Sequence, residues 1–223
     1  MTDKKHAIAI LGGSGQEGKG LALRLANAGH RVTIGSRSAD KANAAAAELN
    51  AKLGRDAVSG AENAAATAAA DIVMLTVPYS AQRSTVEAVQ QHLKGKILVD
   101  ATVPLVPPKV ARVQLPDAGS AVAAIQAMLG DSVRVVSAFQ NVAAHALQDL
   151  DHAIECDVLI CGDDVDAREA VVKLTSDIGL RGVHAGPICN SAAAEALTSI
   201  LISINMRYKV PGSGIRITGL PSA

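Results

Sequence analysis

The sequence predicts an α/β fold built on a doubly wound parallel sheet, and three observations carry that expectation. Short Val/Ile/Leu runs such as DIVMLTV and KILVDAT read as strands buried on both faces. Helix-length segments alternate with them, which implies crossover units with helices covering both sides of the sheet. The first apolar run breaks directly into a glycine-rich turn followed by a helix-compatible segment, LGGSGQEGKGLALRLANAG.

The elements follow in order. Residues 7–11 (AIAIL) are continuously apolar and end at glycine, so they read as a buried strand. A helix is expected at 18–28 and a second strand at 31–35. Residues 39–53 are rich in alanine, the strongest helix former, whose small side chain lets a helix lie close on a sheet. The same reading gives a helix at 60–69, with 57–59 as a possible short strand before it. Strands at 71–77, 96–101 and 132–138 alternate with helices at 81–93 and 119–129. Beyond these, CDVLICGDD reads as a strand ending in two acids that can cap a helix at 165–178. A short strand at 181–184 comes next, then a long apolar helix capped by Asn190 or Ser191 and running to about Met206. An extended piece is expected at 215–218. The chain thus divides into a dinucleotide-type domain at 1–138 and a smaller C-terminal α/β lobe at 139–223.

Composition narrows the function. The chain has 223 residues and is 49% hydrophobic, enough for a substantial core. Lys plus Arg and Asp plus Glu are both 21, a balance that gives no support for nucleic acid or an anionic membrane as partner. No apolar run is expected to reach the ~18 residues of a membrane span. MTDKKHAIAI has no signal-peptide layout, so a cytoplasmic protein is expected. Three cysteines, Cys156, Cys161 and Cys189, form no Cys-x-x-Cys pair and read as reduced thiols. The six histidines show no metal-ligand spacing, and no metal is expected; His30 and His92 read as surface groups at helix ends.

The chemistry-bearing segment is Gly13-Ser14-Gly15-Gln16-Glu17-Gly18, which fits G-x-G-x-x-G between a strand and a helix. Gly13 is expected to make the tight turn, Gly15 to admit a pyrophosphate close to the backbone, and Gly18 to let helix and strand pack. The helix N-terminus offers free N–H groups to the phosphates. A Rossmann-type domain that binds NAD usually places Asp or Glu at the end of its second strand, where the ribose hydroxyls lie. Here that strand ends in Gly35-Ser36-Arg37, with Lys41 a helical turn later. Arg37 can clamp a 2′-phosphate bidentately, Ser36 can donate to it and Lys41 adds charge, so NADP(H) is the expected dinucleotide. The Glu17 side chain, ill-suited to a pyrophosphate, is expected to point away. Val77, Pro78 and Tyr79 follow a strand and should border the ligand. Tyr79 and Phe139, two of only three aromatic residues, are both expected on that rim.

The segments LGGSGQEGKGLALRLANAGH, GSR…K, LTVPY, VVSAFQNVAA, CGDD, AGP…NS and GIRI, taken together, resemble the NADPH-dependent reductases of the deazaflavin coenzyme F-420. The resemblance covers nearly the whole chain. It implies hydride transfer between NADP(H) and coenzyme F-420 in a small homo-oligomer, a homodimer or larger. It places the NADP phosphates by Ser14, Gly15, Gln16 and Glu17, and the 2′-phosphate by Ser36, Arg37 and Lys41. The nicotinamide falls by Val77, Pro78, Tyr79 and residues 142–144, with Ala144 as carboxamide anchor, and the deazaflavin by Gln140 and Val142. The family commonly has His and Pro where this chain has Gln140 and Ala143. Glutamine keeps a hydrogen bond but does not titrate near neutrality. Two other readings stay open: an NADPH-dependent reductase of another acceptor (a flavin, a metal chelate or an imine), and a non-catalytic NADP(H)-binding sensor.

Overall fold

The computed structural model describes residues 5–151 and 153–220. Its strands are β1 (Ala7–Leu11), β2 (Arg31–Ser36), β3 (Val58–Glu62), β4 (Ile72–Leu75), β5 (Ile97–Asp100), β6 (Arg134–Ser137), β7 (Asp157–Gly162) and β8 (Arg181–His184). They form a single sheet in the order β3-β2-β1-β4-β5-β6-β7-β8. The helices are α1 (Gln16–Asn27), α2 (Ala39–Leu53), α3 (Asn63–Ala69), α4 (Tyr79–Val89), α5 (Ala121–Leu129), α6 (Ala144–Leu147), α7 (Val165–Asp177) and α8 (Ser191–Tyr208). The first six strands run parallel, giving the α/β, Rossmann-type sheet expected from the alternating pattern. β7 joins antiparallel to β6 through Val136↔Gly162 and Ser137↔Cys161, and β8 then runs parallel to β7. The chain after β6 therefore adds β7 and β8 to the edge of the same sheet.

Alternation along β1 and β4 sends Ile8, Ile10, Ile72 and Met74 into one apolar layer and Ala9, Leu11, Val73 and Leu75 into the other. Both faces of the central strands are thus covered, which is why they carry no polar alternation. The first layer also contains Val158, Ile160 and Leu174, so one core runs from the glycine turn into the C-terminal segment.

Some elements depart from the sequence expectation. Gly60, Ala61 and Glu62 belong to β3 rather than to a helix, because they pair with Ile34, Gly35 and Ser36. A Cβ on Gly60 would lie 2.4 Å from the backbone of Ala42 and Asn43, so glycine lets α2 rest directly on the edge strand. Helix α1 begins two residues earlier than expected, at Gln16. The tail at 215–218 forms no strand, although Asp157 N–H donates to Ile215 O at 2.8 Å. His30 is buried rather than exposed, with Nε2 3.0 Å from Asp177 Oδ2, and burial lowers its pKa. The stretch Ile188–Tyr208 is 21 residues at hydropathy 1.2, long and apolar enough by composition to cross a membrane, contrary to the expectation of no such run. A third of its most apolar window is buried inside the protein, and the carboxylate of Glu195 is bonded to α5.

Candidate functional site

The carboxyl ends of the central strands lie in one row, because Leu11 pairs with Leu75, Leu75 with Asp100 and Asp100 with Ser137. β1 and β4 are neighbours, while the chain leaves β1 toward β2 on one side and continues from β4 toward β5 on the other. This is the switch point at which open parallel sheets form a ligand crevice. A cleft of about 860 Å³ opens there.

One wall is the glycine turn, and each glycine has its own reason. The positive φ of the turn belongs to Gly12 (φ 82) rather than Gly13, and a Cβ on Gly12 would strike Val77 Cγ1 at 2.8 Å. Gly13 serves packing: a Cβ there would sit 2.8 Å from Ile10 O and 2.9 Å from Ile34 Cγ2. Gly18 packs α1 on the strands, its Cβ position being 2.6 Å from both Gly13 Cα and Thr76 Oγ1. Gly15 is different, since a Cβ there would touch only Gly12 O, at 3.3 Å, so its missing side chain leaves room on the cleft side. It is also the residue preceding α1, and no side chain caps the helix. The first-turn N–H groups are therefore left for an anion.

The opposite end of the cleft is built by β2 and the start of α2. Ser36, Arg37, Ser38 and Lys41 line it. Arg37 and Lys41 are exposed, and among the described residues no carboxylate pairs with either. Ser36 Oγ accepts from Ser38 N–H at 3.3 Å. Glu62, the ladder partner of Ser36, is exposed and does not line the cleft. Thr76, Val77 and Pro78 supply the third wall. Asn63 also lines the cleft, with its Oδ1 buried and unbonded, a residue that sequence reasoning missed.

The structure thus brings Ser14, Gly15, Ser36, Arg37, Lys41, Val77 and Pro78 around one cleft. Gly13 and Gly18 stand behind it as packing positions, and Tyr79 begins α4 half-buried. Gln16 is exposed in the first turn of α1, its carbonyl accepting from Gln148 Nε2 at 3.1 Å. Gln140, Val142 and Ala144 do not line the cleft and lie beyond β6, in the segment that leads into α6. Phe139 is not a rim residue: it is 1% exposed and belongs to the core. Its φ of 78 turns the chain sharply after β6.

That turn and its neighbours hold the segment from several sides. Gln140 is buried, and its Nε2 donates to Asp100 O at 2.7 Å. Because the partner is a carbonyl, the amide orientation is determined, and Oε1 remains as the unbonded end. Asn141 Nδ2 donates to Asp157 O at 2.7 Å on β7. Arg24 of α1, itself buried, donates from Nε to Leu147 O at 3.0 Å and from Nη2 to Ala146 O at 3.1 Å. Gly20 completes the fit, since a Cβ there would lie 2.5 Å from Leu147 Cβ.

Three carboxyl groups lie beneath this surface. Asp100, fully buried, accepts from Gln82 Nε2 at 2.6 Å and from Thr102 N–H at 2.9 Å, yet burial still raises its pKa. Glu195 is likewise raised by burial, against the bonds it accepts from the start of α5. Glu17 is pushed up to about 8, first by burial and then by the charge of Asp100. The group is therefore mostly protonated at neutral pH. Sequence reasoning missed Asp100, Gln82 and Glu195. The available signals were single acids in otherwise apolar stretches, KILVD and AAAEALTSIL.

Comparison with known proteins adds the family. Residues 7–104 match the family described as "NADP oxidoreductase coenzyme F420-dependent". The "F420-dependent NADP reductase" of Methanocaldococcus jannaschii is 43% identical over 221 residues, covering 96% of this chain and 98% of that protein. Its counterpart from Methanothermobacter thermautotrophicus is 40% identical, covering 96% and 95%. A crystal structure from Arthrobacter sp. FB24, provisionally classed as an F420-dependent NADP reductase, superposes with a TM-score of 0.80 at 26% identity, covering 96% of this chain and 99% of that one. With identity at this level along nearly its whole length, the chain belongs to the F420-dependent NADP reductase family.

Proposed function

We propose that this protein transfers a hydride between NADP(H) and the deazaflavin coenzyme F-420. The observation that carries the NADP half is the cleft itself, where an open glycine turn faces unpaired Arg37 and Lys41. That donor set fits a phosphorylated dinucleotide: backbone N–H groups for the pyrophosphate and a guanidinium, an ammonium and a hydroxyl for the 2′-phosphate. In this reading Ser14, Gly15, Gln16 and Glu17 hold the pyrophosphate through backbone groups, and Ser36, Arg37 and Lys41 the 2′-phosphate. Val77, Pro78, Tyr79 and Ala144 border the nicotinamide, and Gln140 and Val142 the deazaflavin. The nicotinamide ring supplies the hydride; the protein's part is to hold two rings in contact and exclude water, which needs orientation more than an acid or base.

A cytoplasmic homo-oligomer belongs to the same reading. The three cysteines are all free, as suits a reducing compartment. Ile200, Ile204 and Tyr208, four residues apart, leave an exposed apolar face on α8 that suits a second copy of the chain. The test of function is spectrophotometric. NADPH and enzyme should bleach the visible band of oxidised coenzyme F-420, with NADH far less effective. Turnover of a flavin, a metal chelate or an imine instead would assign a different acceptor. Tight NADPH binding without turnover of any acceptor would make the protein a sensor.

A further inference from the structure

The polar groups beneath the acceptor end form a closed circuit. Glu195 is 1% exposed in the middle of α8, and its Oε2 accepts from Ala121 N–H at 2.8 Å. Its Oε1 accepts from Val122 N–H at 3.1 Å and from Ser120 Oγ at 2.7 Å. Ala121 O lies 3.4 Å from Gln82 Nε2, which donates chiefly to Asp100. Asp100 O accepts from Gln140 Nε2, and Gln140 O accepts from Thr198 Oγ1 at 2.7 Å. Thr198 is on α8, three residues after Glu195, which closes the circuit.

The start of α5 does not need Glu195 for an ordinary cap. Ser120 already accepts from Ala123 N–H through its side chain, and its carbonyl accepts from Ala124 N–H. Glu195 takes the N–H groups of Ala121 and Val122, so three of the four free donors of that helix end are bonded to side chains. Joining two helices by a buried carboxylate is costly compared with an apolar contact, and such groups are best attested where they define one register. The register defined here is that of α8 against α5, which sets where Thr198 meets Gln140.

We infer that Glu195 is a positioning residue for the hydride-transfer reaction, holding Gln140 at the acceptor site through the α5 contact and Thr198. This rests on the reading that Gln140 borders the deazaflavin. Glu195→Gln keeps the shape but sets an amide N–H against backbone donors. It should lower kcat/KM for coenzyme F-420 about tenfold while the Kd for NADPH stays within about twofold. In a Gln140→Ala background the same substitution should cost less than about twofold, because the two act as one unit. Equal losses in both backgrounds, or a lower melting temperature with unchanged acceptor kinetics, would overturn the inference. A silent Gln140→Ala would overturn it too, while leaving the activity standing. Amide hydrogen exchange gives a readout free of turnover: residues 139–147 should exchange faster in Glu195→Gln than in the wild-type protein. Unchanged exchange there, with faster exchange confined to α5 and α8, counts against the inference even if the wild type reduces some other acceptor. Should Glu195→Gln fail to fold, Ser120→Ala removes one donor to Oε1 and should give a smaller loss with the same coupling; additive behaviour would again overturn it.

Discussion

Glu17 should make the affinity for NADPH fall as pH rises. Its carboxyl belongs to the first turn of α1, two residues after Gly15, with a pKa raised from 4.5 to about 8 by burial and by Asp100. That shift corresponds to a preference of about 4–5 kcal/mol for the neutral form. The N-terminal dipole of α1 favours the anion by only about 0.3–1 kcal/mol, so burial wins. Below pH 8 a neutral Glu17 leaves the phosphate-facing turn to the backbone N–H groups. Above pH 8 a carboxylate forms beside the pyrophosphate position, and binding must first return its proton. If only the protonated form binds, the apparent Kd is multiplied by about 1.1 at pH 7 and about 11 at pH 9, roughly tenfold weaker across that span. Fluorescence titration of NADPH from pH 6.5 to 9.5 at constant ionic strength measures this directly. Glu17→Gln should bind as the wild type does at pH 7 and remain flat to pH 9. The stability sign is the same: the unfolded group ionises near 4.5 and the folded one near 8, so folding loses stability between those values. Glu17→Gln should accordingly gain melting temperature over the wild type as pH rises from 4.5 to 8. An equal pH slope in Glu17→Gln and wild type, or wild-type binding that tightens with pH, would refute the reasoning.

Three further outcomes follow from the same geometry. Arg37→Ala should remove roughly ten- to a hundredfold of the preference for NADPH over NADH, the worth of charge-assisted bonds to a phosphate; separate Kd measurements that still show a strong preference would place the 2′-phosphate elsewhere. Gly15→Val should abolish NADPH binding with only a modest fall in melting temperature, whereas Gly18→Ala should destabilise the fold because its Cβ would overlap Gly13 Cα. Normal affinity in folded Gly15→Val would remove the cofactor from this turn. Arg24→Met strips the donors from the carbonyls of Ala146 and Leu147, and denaturant unfolding should show a loss of about 2–4 kcal/mol; a change within 0.5 kcal/mol would mean that α6 is held by packing alone.

The sheet was legible in the sequence because its signals are local. Five unbroken apolar residues before Gly12, the alternation of short strands with helix-length segments, and Ser36-Arg37 in place of an acid each act within a few residues. The alanine-rich stretch at 39–53 became α2 with those same limits, since propensity and packing agree there. What needed the tertiary structure was everything decided by distant partners. Gly60 sits in a strand because β2 offers it a ladder and α2 crosses above it. Phe139 is core rather than rim because the chain turns at that residue, and a count of aromatics cannot reveal where a ring points. Glu17 keeps its proton because burial and the charge of Asp100, 83 positions along, both disfavour its ionised form. Gln140 keeps its amide hydrogens for Asp100 because β5 and β6 are adjacent, a neighbour relation fixed by topology and not by spacing. Local chemistry wrote the glycine turn and the Ser36-Arg37 pair into contiguous residues, whereas the buried polar circuit exists only where β5, α4, α5 and α8 meet in space.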